Sequence, residues 1–486
     1  MQRLSPYAVL KEVASRQPDH DAIVFDDKSR ITYGEFAERV TSLAGWLLSQ
    51  GFVPGAAAGI CIRDEINHLV ASMAVLCTDT AQISLASHEN ATTRRALADR
   101  VGVTQLIVET PEAWMEGLRT IEMPATGTEV LRGFRSGLPD AVCQGRTIDS
   151  VAIYQNTSGS TNVPKTFGLS LDRVFRLSTR YANDEKERRV LRTGSIEFDP
   201  HRLHRLCLLL AGNSSLFLRH LNLQNFVEFC ARAEVTAVHM GGYKLGALVR
   251  SGTQTGRLPS FTTIHTGGAR VPGTLRKRLK CVLTDNLYVI YATSEIGLIS
   301  CATPDQHESF PEGVGFPATS LTLEIIGPDG GQVAPGEIGQ IRVRKVGMFN
   351  DYVTAQGANA NFREGWFYPR DLVSLMPGEP LIFHGRADDV MILNGINIFP
   401  SAIEDILESH PGVKEAVAYA VKSRVHGEIP VAAVVLNDDA EAGLASDLLN
   451  HCRQALGIRA PRQIVVLDRI PRNAAGKPLR RELSGA

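Results

Sequence analysis

The chain has 486 residues, and 51 lysines and arginines against 52 aspartates and glutamates give a formal net charge of −1. One compact core rarely serves a chain of this length, so at least two domains are expected. The balanced charge and the lack of a long basic stripe argue against a nucleic-acid-binding protein, whose affinity depends on many phosphate contacts.

The cysteines and the N-terminal segment indicate a compartment. The eight cysteines are scattered, and none forms a C-x-x-C pair. This pattern argues against a zinc site and a disulfide framework, and it favours reduced thiols in an intracellular protein. The N-terminal segment MQRLSPYAVLKEV lacks the apolar core of a signal peptide, and no apolar window is long enough to span a bilayer. We therefore expect a soluble cytoplasmic protein.

Short β-branched runs alternate with longer helical patterns over the first 300 residues. Strands are predicted at 57–62, 105–108, 235–239 and 287–291, and helices at 33–50 and 66–78. In the first helix, apolar residues recur at spacings of three and four. Alternation of strands and helices predicts α/β layers around mostly parallel sheets.

The pattern changes near residue 313. Short strands at 321–326, 339–343, 372–375 and 381–385 are separated by Gly, Pro and Asp, which predicts a small β-rich subdomain over about 313–385. After 387, Ser401 and Glu404 predict a capping box at the start of a helix. Strands at 413–421 and 431–436 and a helix near 445–456 follow. We expect a large N-terminal α/β domain (1–386) and a small, mobile α+β C-terminal lid domain (387–486).

The most informative loop is YQNTSGSTNVPK, from Tyr154 to Lys165. Apolar residues precede it, so it is predicted to leave a buried strand. Backbone N–H groups, hydroxyl groups and a terminal ammonium can together bind a polyphosphate, although the spacing is not that of a Walker A loop. Taken alone, the loop is also consistent with an ordinary solvated connection.

Six further segments follow the loop in the chain. They are HTGGAR (265–270), YATSE (291–295), GWFYPRD (365–371), GRADDVMILNGINIFPSAIE (385–404), HGE (426–428) and PRNAAGKPLRREL (471–483). In this order, over nearly the whole chain, the seven segments resemble the adenylate-forming superfamily of acyl-CoA synthetases, peptide-synthetase adenylation domains and luciferases. The resemblance implies ATP- and Mg²⁺-dependent activation of a carboxylic acid as acyl-AMP, release of pyrophosphate, and transfer of the acyl group to a thiol.

The resemblance assigns the opening loop to the phosphates of ATP. The implied ligands are Thr157, Ser158, Gly159, Ser160, Thr161 and Lys165, and Thr157 is also a candidate catalytic residue. Asn162 and Thr166 stand where the superfamily usually has glycine.

The resemblance also implies a nucleotide and metal site. The small residues Gly267, Gly268 and Ala269 would lie along the adenine, and the ring of Tyr291 would stack on it. The segment Ala292, Thr293 and Ser294 would complete the nucleotide site, with Ser294 touching a phosphate. Glu295 would be catalytic as a ligand of Mg²⁺, a hard cation that prefers oxygen ligands.

Four residues nearer the C-terminus receive roles from the resemblance. Asp371 would accept hydrogen bonds from both ribose hydroxyls, and Arg386 would contact ribose or phosphate. Asp388 would be the hinge about which the small domain rotates. Lys477 would be the catalytic lysine that stabilises charge near the α-phosphate. Arg370 follows Pro369 where Thr-Gly is common.

The acid is less well defined by the sequence. Asp199 matches the aspartate that binds the substrate ammonium in amino-acid-activating members, but it could equally cap the following helix. The other wall of the acid pocket is predicted to include His239, Met240 and Gly241.

The identity of the thiol and the retention of catalysis stay open at this stage. Only nine residues follow Lys477, so the thiol is expected to come from coenzyme A, which we favour, or from the phosphopantetheine of a separate carrier protein. A free-standing amino-acid adenylation enzyme is the first alternative. The departures at Asn162, Thr166, Ala292, Pro369 and Arg370 also allow a nucleotide-binding protein that has lost catalysis.

Overall fold

The computed structural model describes residues 3–124, 138, 145–157, 165–250, 256–345, 348, 353, 361–423, 425, 427–437, 443–473 and 476–484. The chain divides into two compact units. Unit 1 consists of Met1–Met240, Gly256–Ile264 and Phe349–Ala360, and unit 2 consists of Gly241–Thr255, His265–Met348 and Asn361–Ala486. Unit 2 includes both the predicted β-rich subdomain and the predicted C-terminal domain. A domain boundary after residue 386 stays a prediction.

Both units contain α-helices among their described residues. Unit 1 contains α1 (Pro6–Arg16), α2 (Tyr33–Ser49), α3 (Glu65–Cys77), α4 (Ala91–Val101), α5 (Leu171–Asn183), α6 (Asp199–Leu210) and α7 (Leu223–Arg232). Unit 2 contains α8 (Gly242–Arg250), α9 (Gly273–Val282), α10 (Gln306–Ser309), α11 (Pro400–Glu408), α12 (Leu444–Leu456) and α13 (Arg480–Leu483). Across the described part of the chain, none of these helices is long and apolar enough to cross a membrane.

Strands of unit 1 form mostly parallel sheets. They are β1 (Arg3–Leu4), β2 (Asp21–Phe25), β3 (Arg30–Thr32), β4 (Ala58–Cys61), β5 (Gln82–Ser84), β6 (Gln105–Val108), β7 (Arg119–Glu122), β8 (Arg146–Thr147), β9 (Val151–Thr157), β10 (Lys165–Ser170), β11 (Arg189–Arg192), β12 (Ser214–Phe217) and β13 (Ala237–His239). One sheet has the order β10-β9-β5-β4-β6-β7, and only β10 is antiparallel to its neighbour. In a second sheet, β2, β12, β11 and β13 are parallel and β3 is antiparallel to β2.

Strand β14 (Thr263–Gly267) crosses the boundary between the units, and the strands of unit 2 follow it. These are β15 (Leu287–Thr293), β16 (Gly297–Ala302), β17 (Phe316–Pro317), β18 (Leu321–Ile326), β19 (Gly339–Lys345), β20 (Phe362–Arg363), β21 (Trp366–Phe367), β22 (Asp371–Ser374), β23 (Ile382–Arg386), β24 (Met391–Leu393), β25 (Ile396–Ile398), β26 (Val413–Ser423), β27 (Gly427–Leu436) and β28 (Gln463–Val466). Strands β18 to β23 form an antiparallel sheet, in agreement with the predicted β-rich subdomain.

Apolar periodicity explains α2. Its Phe36, Val40, Leu43 and Leu47 are fully buried, and the Thr32 side chain caps the helix. The Thr32 hydroxyl accepts from a backbone N–H in the first turn, while a glutamate of that turn accepts from the Thr32 N–H, a complete capping box.

The capping box predicted at Ser401 and Glu404 is wrong. Helix α11 begins at Pro400, whose missing N–H is no loss at the first position, and Phe399 is the N-cap residue. The Ser401 hydroxyl instead donates to the His384 carbonyl oxygen at 2.9 Å. Glu404 accepts from the backbone N–H of Ala418. Ser401 therefore bonds to strand β23 and Glu404 to strand β26, so neither side chain caps the first turn of α11.

The last 100 residues have their own apolar core. Ile403 and Leu407 of α11 pack with Val434 of β27 and Leu448 of α12, and each of these four side chains is fully buried. Burial of such side chains stabilises this region, and truncation of one leaves a cavity.

We expect Ile403→Ala to lower the free energy of unfolding by about 3 kcal/mol, because it removes buried methylene groups and leaves a cavity. Urea unfolding followed by circular dichroism measures the change. Ile392→Ala is the matched control, since Ile392 is 50% exposed, and it should change the value by less than about 0.5 kcal/mol. Equal effects of the two substitutions would contradict this packing.

Glu408, the last residue of α11, is a half-buried acid beside two other carboxylates. Burial, together with the charges of Glu404 and Asp405, raises the pKa of Glu408 to about 7, while the Ala416 N–H and Arg270 oppose the rise. In the unfolded chain this carboxyl ionises near its ordinary pKa of 4.5. The stability linked to Glu408 is therefore fully present below pH 4.5 and is lost as the pH rises through about 7.

Glu408→Gln removes the ionisation and should stabilise the protein at about pH 8 by up to about 3 kcal/mol, with a much smaller gain at about pH 5. Urea midpoints at the two pH values test this. Glu379→Gln, at an exposed position, is the control. A gain that is the same at both pH values would show that packing, not ionisation, explains the effect.

Candidate functional site

The predicted phosphate loop joins two antiparallel strands of unit 1. Thr157 ends β9 and Lys165 begins β10, and the two residues face each other in the register of the pair. The predicted ligands Ser158, Gly159, Ser160 and Thr161 lie outside the described residues. The structure thus confirms the strand before the loop and brings Thr157 and Lys165 together across the hairpin.

Thr166 occupies a position where the superfamily usually has glycine, and its hydroxyl has defined partners. The side chain is fully buried. Its Oγ1 donates to Asn156 Oδ1 at 2.8 Å, and Arg100 Nη1 donates to it at 3.2 Å. The hydroxyl therefore ties the two strands of the hairpin together directly beside Lys165.

Asp199 is the first residue of α6 and is buried. Its Oδ2 accepts from the Asn156 backbone N–H at 2.7 Å, and its Oδ1 pairs with Arg202 Nη2 at 2.7 Å. Burial raises the pKa of Asp199, while Arg202 and the Asn156 N–H oppose the rise. The N-cap residue is Phe198, so Asp199 does not act as the helix cap that the sequence allowed.

The predicted acid-pocket wall lies at the end of β13. His239 is the last residue of this strand, and its Nε2 is 2.9 Å from Glu187 Oε1. Glu187 also pairs with Arg180 at 3.0 Å. Met240 is buried and Gly241 is exposed.

Two glycines of the HTGGAR segment lie where a larger residue would clash or would strain the backbone. A Cβ on Gly267 would come within 2.3 Å of the Ile290 carbonyl oxygen, so only glycine fits between these strands. Gly268 has φ +79°, which also favours glycine. The segment through Ala269 therefore passes close to the strand that leads into Tyr291.

Tyr291, Asp371 and Arg386 form a hydrogen-bonded group in unit 2. Tyr291 Oη donates to Asp371 Oδ2 at 2.6 Å, and Arg386 Nη1 lies 3.5 Å from Asp371 Oδ1. Asp371 is only 5% exposed, and burial raises its pKa, whereas the Tyr291 hydroxyl, Arg386 and Lys477 oppose the rise. The three predicted nucleotide residues are thus in direct contact.

Lys477 belongs to the same charged group. Its backbone N–H donates to Asn473 Oδ1 at 3.0 Å. The side chain keeps contact with solvent, yet the protein packed around it, together with Arg386, lowers the pKa of its ammonium. Asp371 and Glu295 oppose this lowering, so both carboxylates lie within electrostatic reach of the ammonium.

Glu295 fits a magnesium ligand by chemistry and burial. The residue is 9% exposed, and its carboxylate acts electrostatically on both Asp371 and Lys477. Mg²⁺ is commonly held by one or two carboxylates, with phosphate oxygens and waters completing its shell. A single buried carboxylate beside the predicted nucleotide-binding residues is compatible with that pattern.

The residues between Tyr291 and Glu295 complete β15 and enter the turn that follows it. The pairing of β15 with β16 shifts register between Tyr291 and Ala292, and Ala292 is exposed. Thr293 Oγ1 accepts from the Ile296 N–H at 3.2 Å, and Ser294 is half-buried. Thr293 is still paired with Gly297, so Glu295 lies in the short turn that joins β15 to β16.

The predicted hinge residue Asp388 pairs with two arginines. Its Oδ1 is 2.6 Å from Arg370 Nη2, and its Oδ2 is 3.6 Å from Arg386 Nη2. Arg370 has φ +65°, a conformation that favours the glycine usual at this position. Arg370, which stands where glycine is common, therefore forms an ion pair with Asp388 that the sequence alone did not predict.

Sequence reasoning missed several partners of these groups. Arg202 carried a usable signal, because it follows Asp199 by three residues on a predicted helix, and such pairs share one face. Glu187 carried none, since it precedes its partner His239 by 52 residues.

Comparison with known proteins gives two family matches. The AMP-binding enzyme model matches residues 10–353, and the model of the AMP-binding enzyme C-terminal domain matches residues 402–477.

Curated relatives include several CoA ligases. The match to an uncharacterised acyl–CoA ligase, YhfT, of Bacillus subtilis is 27% identical and covers 66% of this chain and 65% of that protein. The match to long-chain-fatty-acid–CoA ligase of Salmonella typhimurium is 27% identical and covers 57% of this chain but 50% of that protein. These matches thus span between half and two thirds of the relatives. The match to 2-succinylbenzoate–CoA ligase of Bacillus subtilis is 25% identical and covers 98% of this chain and 97% of that protein.

Solved structures show the same fold. The o-succinylbenzoate CoA synthetase MenE of Bacillus subtilis, in complex with its acyl-adenylate, superposes with a TM-score of 0.84 at 22% identity, over 100% of this chain and 99% of that one. ATP-bound MatB of Rhodopseudomonas palustris gives 0.85 at 20% identity with the same coverage. The predicted mixed α/β fold with a large N-terminal and a small C-terminal domain is thereby confirmed. Since the family model covers most of the chain, this protein belongs to the AMP-binding enzymes and hence to the adenylate-forming superfamily.

Proposed function

We propose that this protein is an ATP- and Mg²⁺-dependent acid–CoA ligase. The observation that carries the proposal is the buried Asp371 carboxylate, which Tyr291 Oη approaches at 2.6 Å and Arg386 Nη1 at 3.5 Å, and on which Lys477 and Glu295 act electrostatically. The names of the curated relatives, acyl–CoA and 2-succinylbenzoate–CoA ligases, point to the same chemistry.

In the proposed first step, a carboxylate oxygen of the acid attacks the α-phosphorus of ATP. The bond from this phosphorus to the bridging oxygen breaks, and pyrophosphate leaves with both electrons of that bond. The Lys477 ammonium stabilises negative charge that develops on the α-phosphate oxygens. Because Asp371 and Glu295 oppose the lowering of the Lys477 pKa, they favour the charged form that this role requires.

Asp371 and Tyr291 are proposed to bind the nucleoside. The Asp371 carboxylate can accept hydrogen bonds from a vicinal diol, and its Oδ2 is oriented by the Tyr291 hydroxyl at 2.6 Å. Tyr291 would use its ring face for adenine while its hydroxyl fixes the ribose-binding carboxylate. Ala292, Thr293 and Ser294 would complete the nucleotide site, with Gly267, Gly268 and Ala269 along the adenine.

The residues of the β9–β10 hairpin and Glu295 are proposed to bind the phosphates of ATP and the metal ion. Thr157, Lys165 and the intervening hydroxyl residues would bind the β- and γ-phosphates. Glu295 would hold Mg²⁺, which neutralises phosphate charge and so favours loss of pyrophosphate.

The contacts of Asp199 bear on the class of acid. Both of its oxygens already have partners, the Arg202 guanidinium and the Asn156 N–H. An ammonium would have to compete with a fully buried guanidinium for this carboxylate. This supports an aliphatic or aromatic acid without an amino group, bordered by His239, Met240 and Gly241.

In the proposed second step, the sulfur of coenzyme A attacks the acyl carbonyl carbon and loses its proton to solvent. The bond from this carbon to the phosphate oxygen breaks, and AMP leaves with both electrons of that bond. We propose that the C-terminal domain (387–486) rotates about Asp388 between the two steps, so that Lys477 serves only the first. Such alternation lets one site run two reactions in sequence.

With ATP, Mg²⁺ and coenzyme A, we expect the protein to form AMP, pyrophosphate and a thioester from acids such as palmitate, benzoate or 2-succinylbenzoate. Amino acids should not react. Mass spectrometry of the thioester and acid-dependent exchange of labelled pyrophosphate into ATP measure the two stages. ATP binding without exchange for any acid of the panel would instead support a protein that has lost catalysis.

Lys477→Ala should lower acid-dependent pyrophosphate exchange by roughly 100-fold or more, as expected for loss of a group that stabilises transition-state charge. Formation of the thioester from supplied acyl-AMP should change far less. Lys414→Ala removes an exposed lysine of the same domain and should leave both rates unchanged. If Lys477→Ala impaired both half-reactions equally, the proposed role would be wrong.

A further inference from the structure

Hydrogen bonds connect Lys477 and Gly476 to Arg472 and Asn473, and these four residues are called the lysine turn. Arg472 Nη1 donates to the Gly476 carbonyl oxygen at 2.9 Å, and the Gly476 N–H donates to the Asn473 carbonyl oxygen at 2.8 Å. The Lys477 N–H adds a bond to Asn473 Oδ1. These bonds connect Arg472 to Gly476 and Asn473 to Gly476 and Lys477, so contacts that hold Arg472 also restrain the position of Lys477.

Arg472 is held from outside the turn by two contacts. Its guanidinium carbon lies 4.3 Å from the centre of the Tyr243 ring, a cation–π arrangement. Its Nη2 lies 2.8 Å from Glu415 Oε2 on β26. The Arg472 side chain is 18% exposed, so solvent weakens these contacts less than it would on an open surface.

Helix α8 contributes at both of its ends. Tyr243 stands in its first turn, while Arg250, its last residue, reaches Glu415 Oε1 at 3.4 Å. Glu415 thus lies between two arginines, one on α8 and one on the lysine turn. Helix α8 therefore contacts Arg472 directly through Tyr243 and indirectly through Arg250 and the shared Glu415.

The backbone of the turn also lies against Tyr243. A Cβ built on Gly476 would be 3.7 Å from the Tyr243 Cβ. Helix α8 begins one residue after Gly241, which ends the predicted acid-pocket wall. The residues that follow the predicted acid-pocket wall in the chain therefore contact Gly476, next to Lys477.

We propose that Tyr243 and Arg472 form a latch that positions Lys477 for acyl-AMP formation and must release before the thioester forms. Both are positioning residues, since they act through the Lys477 turn. The latch rests on the proposed two-step function. It predicts that weakening the contact slows the first half-reaction selectively, whereas locking it blocks the second.

Tyr243→Leu should lower the maximal rate of acid-dependent pyrophosphate exchange about tenfold or more, because misplacement of a reacting group by about 1 Å costs up to ~100-fold. The KM for ATP and thioester formation from supplied acyl-AMP should stay within about twofold. Tyr243→Phe keeps the ring and should retain most of the rate. Phe261→Leu, at a 52% exposed ring, controls for loss of a surface aromatic side chain.

Tyr243→Cys combined with Gly476→Cys tests the latch directly. The Cβ separation of 3.7 Å falls within the range for a disulfide. The reduced double variant should be slow in adenylation. The oxidised protein should regain adenylation and lose thioester formation, and a reductant should reverse both changes. Gly476→Cys alone controls for strain at φ +79°.

The disulfide, mapped by peptide mass spectrometry, reports the contact without any activity. If wild-type protein activated no acid, the proposed function would fail, and disulfide formation would still show whether the turn docks on α8. Failure of the cysteines to join under oxidation would overturn the latch. So would a cross-linked protein that forms thioester at the wild-type rate, or a Tyr243→Leu variant equally slow in both half-reactions.

Discussion

The arrangement of unit 2 depends on how it accommodates the buried carboxylate of Asp371. An ionised group removed from water must be compensated by hydrogen bonds and opposite charge. Here the compensation comes from the Tyr291 hydroxyl on β15, Arg386 at the end of β23 and Lys477 near the C-terminus. Segments separated by more than 180 residues meet because each supplies part of this compensation, and the proposed nucleotide site is the result.

Unit 1 solves a similar problem with a different pair. Asp199 and Arg202 are both buried on α6, and the backbone N–H of Asn156 binds the second carboxylate oxygen. Loss of one member of such a pair leaves an uncompensated charge, which typically costs about 3–5 kcal/mol. A carboxylate so fully engaged is a poor receptor for an ammonium, and this is why its contacts favour an acid that carries no amino group.

Local sequence patterns predicted the strands whose bounds depend on neighbouring residues. They failed where a side chain bonds to a residue far away in the sequence. The strands at 105–108 and 321–326 were predicted with the bounds observed, because their apolar and turn residues are local signals. The capping box at Ser401 and Glu404 was wrong because His384 and Ala418 offered partners that no local rule includes. Motif spacing found Lys477, Asp371 and Glu295, but it contained nothing about Tyr243, which lies 229 residues before Arg472.

The departures from the superfamily pattern also look different once their contacts are known. Where glycine is usual, Thr166 bonds to Asn156 and Arg100, and Arg370 pairs with Asp388 while holding the left-handed backbone that glycine would adopt. Random decay of a site would leave such replacements without partners, since a strained or buried polar residue is costly unless its surroundings compensate it. Thr166 and Arg370 instead each make a contact next to a proposed functional residue, Lys165 or the hinge. This pattern of compensation favours a ligase whose loop and hinge have been retuned over a nucleotide-binding protein that has lost its chemistry.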